Sequence, residues 1–257
     1  MKRFLSICLI VVIGLTFVGM TIINVTVPNI VVGSTQLETS IQNTIDNVVH
    51  IRNNTGGWQG SGILVAPDLI LTARHVAEGG LDFDIMTNDG KVYKATTAIS
   101  SKKYDLGFIK LDVKLPCTTK LGSIKDCRKG ESVYAIGSPF GDVNFNSVTL
   151  GIISRLNCDF EKFPQEISSD YGWPTDTFQT DCPAYPGNSG CPLFTTDGLV
   201  VGIIVGGFDD NLVYAIPVEL IISDLDEIQL LFTMDLYEKE EVKESQENDS
   251  YTSKGNY

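Results

Sequence analysis

Short runs of β-branched and aliphatic residues, punctuated by Gly, Pro, Asn and Asp, recur along the chain from Val48 onward. Runs of this length between turn formers predict strands. A first set covers residues 48–51, 62–65, 69–72, 91–95 and 106–111. A second covers 132–136, 147–154, 177–180, 192–194, 199–205 and 213–216, and the polar, turn-rich stretch 116–129 divides the two. Evenly spaced short strands with little helical periodicity predict an all-β sandwich or barrel architecture. The reading is two β-barrels, roughly 37–115 and 125–222. Val218, Ile221, Ile222 and Leu225 share one helical face, so 217–231 is expected to close the fold as a helix.

The two ends differ from this pattern. Residues 4–23 form an apolar run broken only by Ser6, Thr16 and Thr21, directly after Lys2 and Arg3. As a helix such a run would rise about 30 Å, enough to cross a bilayer core. Residues 1–35 are therefore expected to be an N-terminal signal or membrane anchor, with the rest of the chain extracytoplasmic, anchored or secreted. At the other end, residues 235–257 carry seven acidic residues and three lysines with little apolar content. A solvated, disordered tail is expected there. The net charge of −13 argues against a nucleic-acid partner, which needs clustered Lys and Arg.

Six cysteines are present, and Cys8 lies in the apolar N-terminal run. An extracytoplasmic site would permit disulfides among Cys117, Cys127, Cys158, Cys182 and Cys191. Cys117–Cys127 and Cys158–Cys182 are plausible local pairs, and an odd count leaves at least one thiol over. No cofactor or metal is expected: there is no C-x-x-C pair, no phosphate-binding loop, and only His50 and His75 could supply imidazole.

The chemistry concentrates in three residues. His75 follows an apolar run and a turn, where an imidazole could face a cleft, whereas His50 sits inside a strand-like run and reads as structural. Asp105 opens the run 106–111, and a carboxylate held by a buried strand can fix the tautomer of a catalytic imidazole and stabilise its charge. Ser189 lies in Pro186-Gly187-Asn188-Ser189-Gly190-Cys191. Flanking glycines permit a tight turn, and a serine hydroxyl needs a neighbouring base to become a nucleophile. The backbone N–H groups of Gly187, Asn188 and Ser189 are candidates for an oxyanion hole. Taken singly, each residue has an ordinary structural explanation. Their order along the chain, His then Asp then Ser, is that of the chymotrypsin-type arrangement.

With these residues in place, the chain resembles the HtrA/Deg family of trypsin-like serine proteases over about residues 60–218. The resemblance is carried, in order, by Gly60-Ser61-Gly62 with Thr72-Ala73-Arg74-His75-Val76, by Tyr104-Asp105-Leu106-Gly107, by Gly137-Ser138-Pro139-Phe140-Gly141, by Ser147-Val148-Thr149-Leu150-Gly151, and by Asp181 leading into Gly187-Asn188-Ser189-Gly190. It implies two six-stranded antiparallel Greek-key barrels with the active site in the cleft between them. It also implies a protease domain over 36–234 that hydrolyses protein or peptide substrates through an acyl-enzyme. His75 would be the base, Asp105 its orienter and Ser189 the nucleophile, with Ala184, Tyr185, Ile203, Ile204 and Val205 near the primary pocket. Pro183 stands where trypsin has a carboxylate, so small or aliphatic residues are expected before the scissile bond. Homo-oligomers are compatible with this picture.

Three departures from the family pattern are visible. Cys191 stands where glycine is usual and Cys182 where a small residue is usual, and a bridge between these two, or from either to Cys158, would tether the loop. Only 35 residues follow Ile222, too few for the PDZ domain that members commonly carry. The competing function is a catalytically silent fold that serves as a binding or scaffold protein.

Overall fold

The computed structural model describes residues 35–101, 103–158, 173–174, 176–222, 228 and 232. The chain enters through α1 (Gln36–Thr44) and a single 3₁₀ turn over Ile45–Asn47. Thr35 caps α1: its hydroxyl accepts from Glu38 N, and the Glu38 carboxylate accepts from Thr35 N. That reciprocal capping box satisfies two backbone donors that the helix cannot, and such a cap contributes about 1 kcal/mol. Ser40 and Thr44 of this helix share the buried Tyr134 hydroxyl at 3.0 Å each, which docks α1 on the second half of the molecule.

The first sheet contains β1 (Val48–Asn53), β2 (Trp58–Ala66), β3 (Leu69–Thr72), β4 (Phe83–Met86), β5 (Val92–Ala95), β6 (Thr97–Ser100) and β7 (Gly107–Lys110), with the short helix α2 (Arg74–Ala77) after β3. Its order is β5-β4-β1-β2-β3-β7-β6, antiparallel throughout. The end strands β5 and β6 are consecutive in the chain, separated by Thr96 alone. One strand of the barrel is thus broken in two, its first half pairing β4 and its second half β7.

The second sheet contains β8 (Lys120–Leu121), β9 (Ser132–Gly137), β10 (Ser147–Arg155), β11 (Phe178–Thr180), β12 (Pro192–Thr195), β13 (Leu199–Asp209) and β14 (Leu212–Pro217), followed by α3 (Glu219–Ile222). Its order is β12-β9-β10-β11-β14-β13-β8, and pairing of β12 with β13 closes six of these strands into a ring. β8 adds to β13 in parallel outside the ring. The architecture is therefore two barrel-like β-sheets. The expectation of two plain six-stranded barrels in an all-β chain is corrected in three particulars: the break at Thr96, the added β8, and the short helices. Of the expected closing helix, Glu219–Ile222 is described, and Phe232 is buried against the core.

The larger apolar core joins the two halves. Val48, Ile63, Leu71 and Phe108 of the first sheet share it with Tyr134, Ile136, Ile203 and Val205 of the second. A smaller core inside the second barrel holds Val133, Phe178, Leu193, Ile204, Cys182 and Cys191. Burying one aliphatic side chain contributes about 1.5–3 kcal/mol, so this shared core holds the two barrels in a fixed relation.

Two further expectations are revised. Among the described residues no helix is long and apolar enough to cross a membrane. The membrane anchor, and the membrane as a partner, are therefore withdrawn; residues 4–23, on which that expectation fell, lie outside the described residues, as does the acidic tail 235–257. Cys117, Cys127, Cys158, Cys182 and Cys191 are all free thiols, not the disulfides anticipated. Cys117 donates to Leu64 O, Cys127 to Ser123 O and Cys182 to Val133 O instead. Burial pushes the Cys127 and Cys182 thiols up to about 11 and Cys191 higher still, which leaves them inert packing residues at neutral pH.

Candidate active site

Register brings the first two residues together. β3 and β7 pair with Thr72 opposite Gly107, so the chain leaving β3 and the chain entering β7 run side by side. His75 lies one turn past β3, and Asp105 two residues before β7. Helix α2 can sit so close because residue 107 lacks a side chain: a Cβ there would lie 2.9 Å from the Ala77 Cβ. His75 Nδ1 is 3.0 Å from both Asp105 oxygens, and His75 N donates to Asp105 Oδ1 at 3.1 Å. Asp105 is 3% exposed while the imidazole is 45% exposed, so the pair has a buried anchor and an open face. A carboxylate in this position holds the proton on Nδ1 and leaves Nε2 free to accept one.

The loop bearing Ser189 is built from a turn whose chemistry is written in the sequence. Asn188 N donates to Tyr185 O at 2.9 Å, and Gly187 between them has φ 103°. Pro at the second position and a positive-φ Gly at the third define a type II turn. The Asn188 N–H is therefore already engaged, and of the three expected oxyanion donors it is not available. Among the described residues the N–H groups of Gly187 and Ser189 have no acceptor. Phe140 N holds the Pro186 carbonyl at 2.7 Å, which fixes the peptide plane carrying the Gly187 N–H.

The first barrel grips this loop. Ser61 N donates to Ser189 O at 2.8 Å, and the buried Ser61 hydroxyl donates to Gly187 O at 2.8 Å while accepting from Ser138 N at 2.9 Å. A Cβ at residue 60 would lie 2.5 Å from a Val76 methyl and 2.8 Å from Ser189 O. Gly60 thus lets the loop of Ser189 approach the residue next to His75. No hydrogen bond joins the Ser189 hydroxyl to His75 among the described residues, a contact that often tightens only when substrate binds.

The residues expected at the primary pocket divide. Ala184 and Tyr185 are solvent-accessible, with Tyr185 39% exposed and its ring 5.7 Å from that of Phe140. Ile203, Ile204 and Val205 are buried because β13 is a central strand: Ile203 and Val205 face the shared core and Ile204 the second barrel's own. What Ile204 gives the site is backbone. Its carbonyl accepts from Gly190 N at 2.7 Å, and its N–H donates to Cys191 O at 2.9 Å.

His50 lies on β1, away from the reacting groups. It is 2% exposed, with Nδ1 3.1 Å from Asp142 Oδ1 and Nε2 3.1 Å from Gln59 Oε1. Burial lowers its pKa below the usual 6.5, outweighing the pull of Gln59 and Asp142, and Arg52 pushes the same way as burial. A depressed histidine contributes stability that is fully present above the unfolded value of about 6.5 and is lost as pH falls through the folded value. Thermal melts of the wild-type protein should accordingly drop in this acidic window, and His50→Gln should flatten the slope. Parallel slopes for the two proteins would show that His50 does not titrate this way.

Comparison with known proteins agrees with this geometry. A family profile described as a trypsin-like peptidase domain matches residues 60–203. A probable periplasmic serine endoprotease, DegP-like, of Halomonas elongata is 36% identical over 177 residues, 66% of this chain and 35% of that protein. The protein of the same description from Rickettsia prowazekii is 35% identical over 146 residues, 56% of this chain and 27% of that protein. The chain spans about a third of the length of the first of these curated relatives. Among solved structures, the HtrA-type protease AlgW with tripeptide superposes with a TM-score of 0.65 at 27% identity, covering 75% of this chain and 63% of that one. The serine endoprotease from Yersinia pestis gives a TM-score of 0.60 at 25% identity, covering 76% and 67%.

Proposed function

The chain belongs to the trypsin-like peptidase domain family, and we propose that it is a serine endopeptidase of HtrA type whose protease domain spans residues 36–234. One observation carries this reading: a buried carboxylate holds an exposed imidazole, beside a serine on a tight turn with two backbone N–H groups that meet no acceptor among the described residues.

In this reading Ser189 Oγ attacks the scissile carbonyl carbon and its proton passes to His75 Nε2. The Gly187 and Ser189 N–H groups receive the developing oxyanion, and Asp105 stabilises the imidazolium. The C–N bond breaks as His75 returns the proton to the leaving amine, leaving an acyl ester on Ser189. A water activated by His75 then releases the acid and regenerates the hydroxyl.

The substrate would enter as a strand. β12 pairs with β13 no further than Ile203, whereas β13 continues to Asp209 with β14 on one side. Beyond Ile203 the other edge of β13 carries no strand among the described residues, and it begins beside Gly190. An extended peptide can pair there through its backbone, which suits protein substrates of varied sequence. Ala184 and the absence of a carboxylate at Pro183 support small or aliphatic residues before the scissile bond. Relatives described as periplasmic support a catalytic domain outside the cytoplasm.

A fluorophosphonate probe tests the reading directly. Wild-type protein should label stoichiometrically and Ser189→Ala should not, and a peptide library should be cut after small or aliphatic residues. Failure of the wild type to label would favour the silent binding fold, in line with the missing Ser189–His75 hydrogen bond. Efficient cleavage after Arg or Lys would overturn the pocket assignment alone.

A further inference from the structure

The buried carboxylate of Asp105 has a partner on a different element from His75. Trp173, in the connection between β10 and β11, directs its indole Nε1–H to Asp105 Oδ2 at 3.2 Å. The local chain is pinned where this happens: Thr177 N donates to Pro174 O at 2.9 Å, and Thr177 O accepts from Cys158 N at 2.7 Å. The ring itself is seated. A Cβ on Gly206 would lie 3.0 Å from Trp173 Cζ2, so residue 206 gives way to the indole. The ring centroids of Tyr214 and Phe208 stand 5.7 and 6.4 Å from that of Trp173. Gly206 and Phe208 belong to the part of β13 that pairs β14 on one side and meets no strand on the other among the described residues, and Tyr214 faces Gly206 across β13 and β14.

We infer that Trp173 is a positioning residue for the triad, tying the outer oxygen of Asp105 to the strand edge along which a peptide substrate would lie. The inference rests on the endopeptidase reading above and deepens it. The physical case has two parts. A buried carboxylate with one donor could swing about its Cβ–Cγ bond, whereas Asp105 has the His75 backbone on Oδ1, the indole on Oδ2 and the imidazole against both. Hydrogen bonds to a charged acceptor are about twice as strong as neutral ones, and their geometry transmits small displacements. The indole is also a wall of the edge at Gly206, so a peptide pairing there would press on the ring that holds the carboxylate.

The test replaces the donor and keeps the ring. Trp173→Phe should lower kcat about tenfold with KM within about twofold, the size expected when one charge-assisted hydrogen bond is lost from the transition state. Trp173→Leu should lose kcat equally and raise KM as well, because the wall at Gly206 goes with the ring. A second readout does not depend on activity. The proton on His75 Nδ1, shared with Asp105, should resonate far downfield, and with only two histidines in the chain it can be assigned by its loss in His75→Ala. Its shift should move in Trp173→Phe. An unmoved resonance with full kcat overturns the inference. So does an unmoved resonance with kcat, KM and melting temperature all degraded alike in both variants, which is what packing alone would give. A wild-type protein without peptidase activity whose resonance still moves would sink the endopeptidase reading and support the hold of Trp173 on Asp105.

Discussion

Asp105→Asn is expected to lower kcat/KM by about 10⁴-fold while the protein stays folded, the loss seen when a triad carboxylate is made neutral. The three groups around Asp105, His75 N, His75 Nδ1 and Trp173 Nε1, are all donors. A carboxylate accepts from all of them; an amide offers one oxygen and one NH₂. With its oxygen in the Oδ1 place, the NH₂ meets the indole N–H. With its oxygen in the Oδ2 place, the NH₂ meets Nδ1 and drives the imidazole into the tautomer that carries its proton on Nε2. That ring cannot take the proton of Ser189. Either way the imidazolium loses its counter-charge. Asn and Asp have nearly the same volume, so circular dichroism and melting should change little while peptide hydrolysis collapses. A loss below about tenfold would mean that Asp105 does not orient the base, and would remove the ground for the role given to Trp173.

The sequence and the structure agree best where a pattern is short and local. The catalytic order, the turn Tyr185–Asn188 and most strands are legible because apolar runs and Pro-Gly pairs act over a few residues. α1 is not legible from its apolar pattern, although Thr35 and Glu38 stand three apart, the spacing of a capping box; only Ser40 and Thr44 of the helix are buried, so no apolar stripe adds a second signal. β4 is not legible either, although Phe83 and Ile85 are buried and Asp84 and Met86 partly exposed, because four residues are a short sample of alternation. β6 is partly exposed at every position and offers no alternation at all. The break at Thr96 is set by which neighbour each half pairs with, so it belongs to tertiary structure and not to the segment.

The same distinction applies within the site. His75 and Asp105 could be named from their strand-end settings because the register of β3 and β7 places them side by side. Trp173 could not, since nothing in its surrounding residues points to a carboxylate 68 positions earlier. The cysteines misled for a related reason. Spacing along the chain allowed disulfides, but Cys182 and Cys191 pack as small apolar residues within the second barrel's core. For Ile203, Ile204 and Val205 the resemblance implies a place near the pocket, and what the structure shows of their strand is its hydrogen bonding to the loop of Ser189. Their side chains turn away because β13 has neighbours on both faces, which leaves its backbone to hold the nucleophile loop.

The second large effect is expected at the seam where that loop meets the first barrel. Gly190 has φ 85°, and a Cβ there would collide with the Thr72 hydroxyl and the Ser61 carbonyl oxygen and come within 2.9 Å of Ala73 N. Two of these three atoms are backbone, and the third, Thr72 Oγ1, is committed to Ser61 O at 2.7 Å. None can retreat without moving β2 or the turn that presents His75. Gly190→Ala should therefore add a backbone strain of about 1–2 kcal/mol to an overpacking cost of about 1–3 kcal/mol. The melting temperature should fall by on the order of 10 °C. Activity should fall further than stability, because relief of the collision pushes Ser189 away from His75. Gly130→Ala separates the two costs: it shares the left-handed φ, at 89°, but a Cβ there meets nothing within 4 Å. It should melt only a few degrees below wild type and keep full kcat/KM. Equal losses in the two variants would mean that backbone strain alone is at work and that the barrels do not press together at Gly190. A large deficit confined to Gly190→Ala would place the alignment of serine and histidine on that contact.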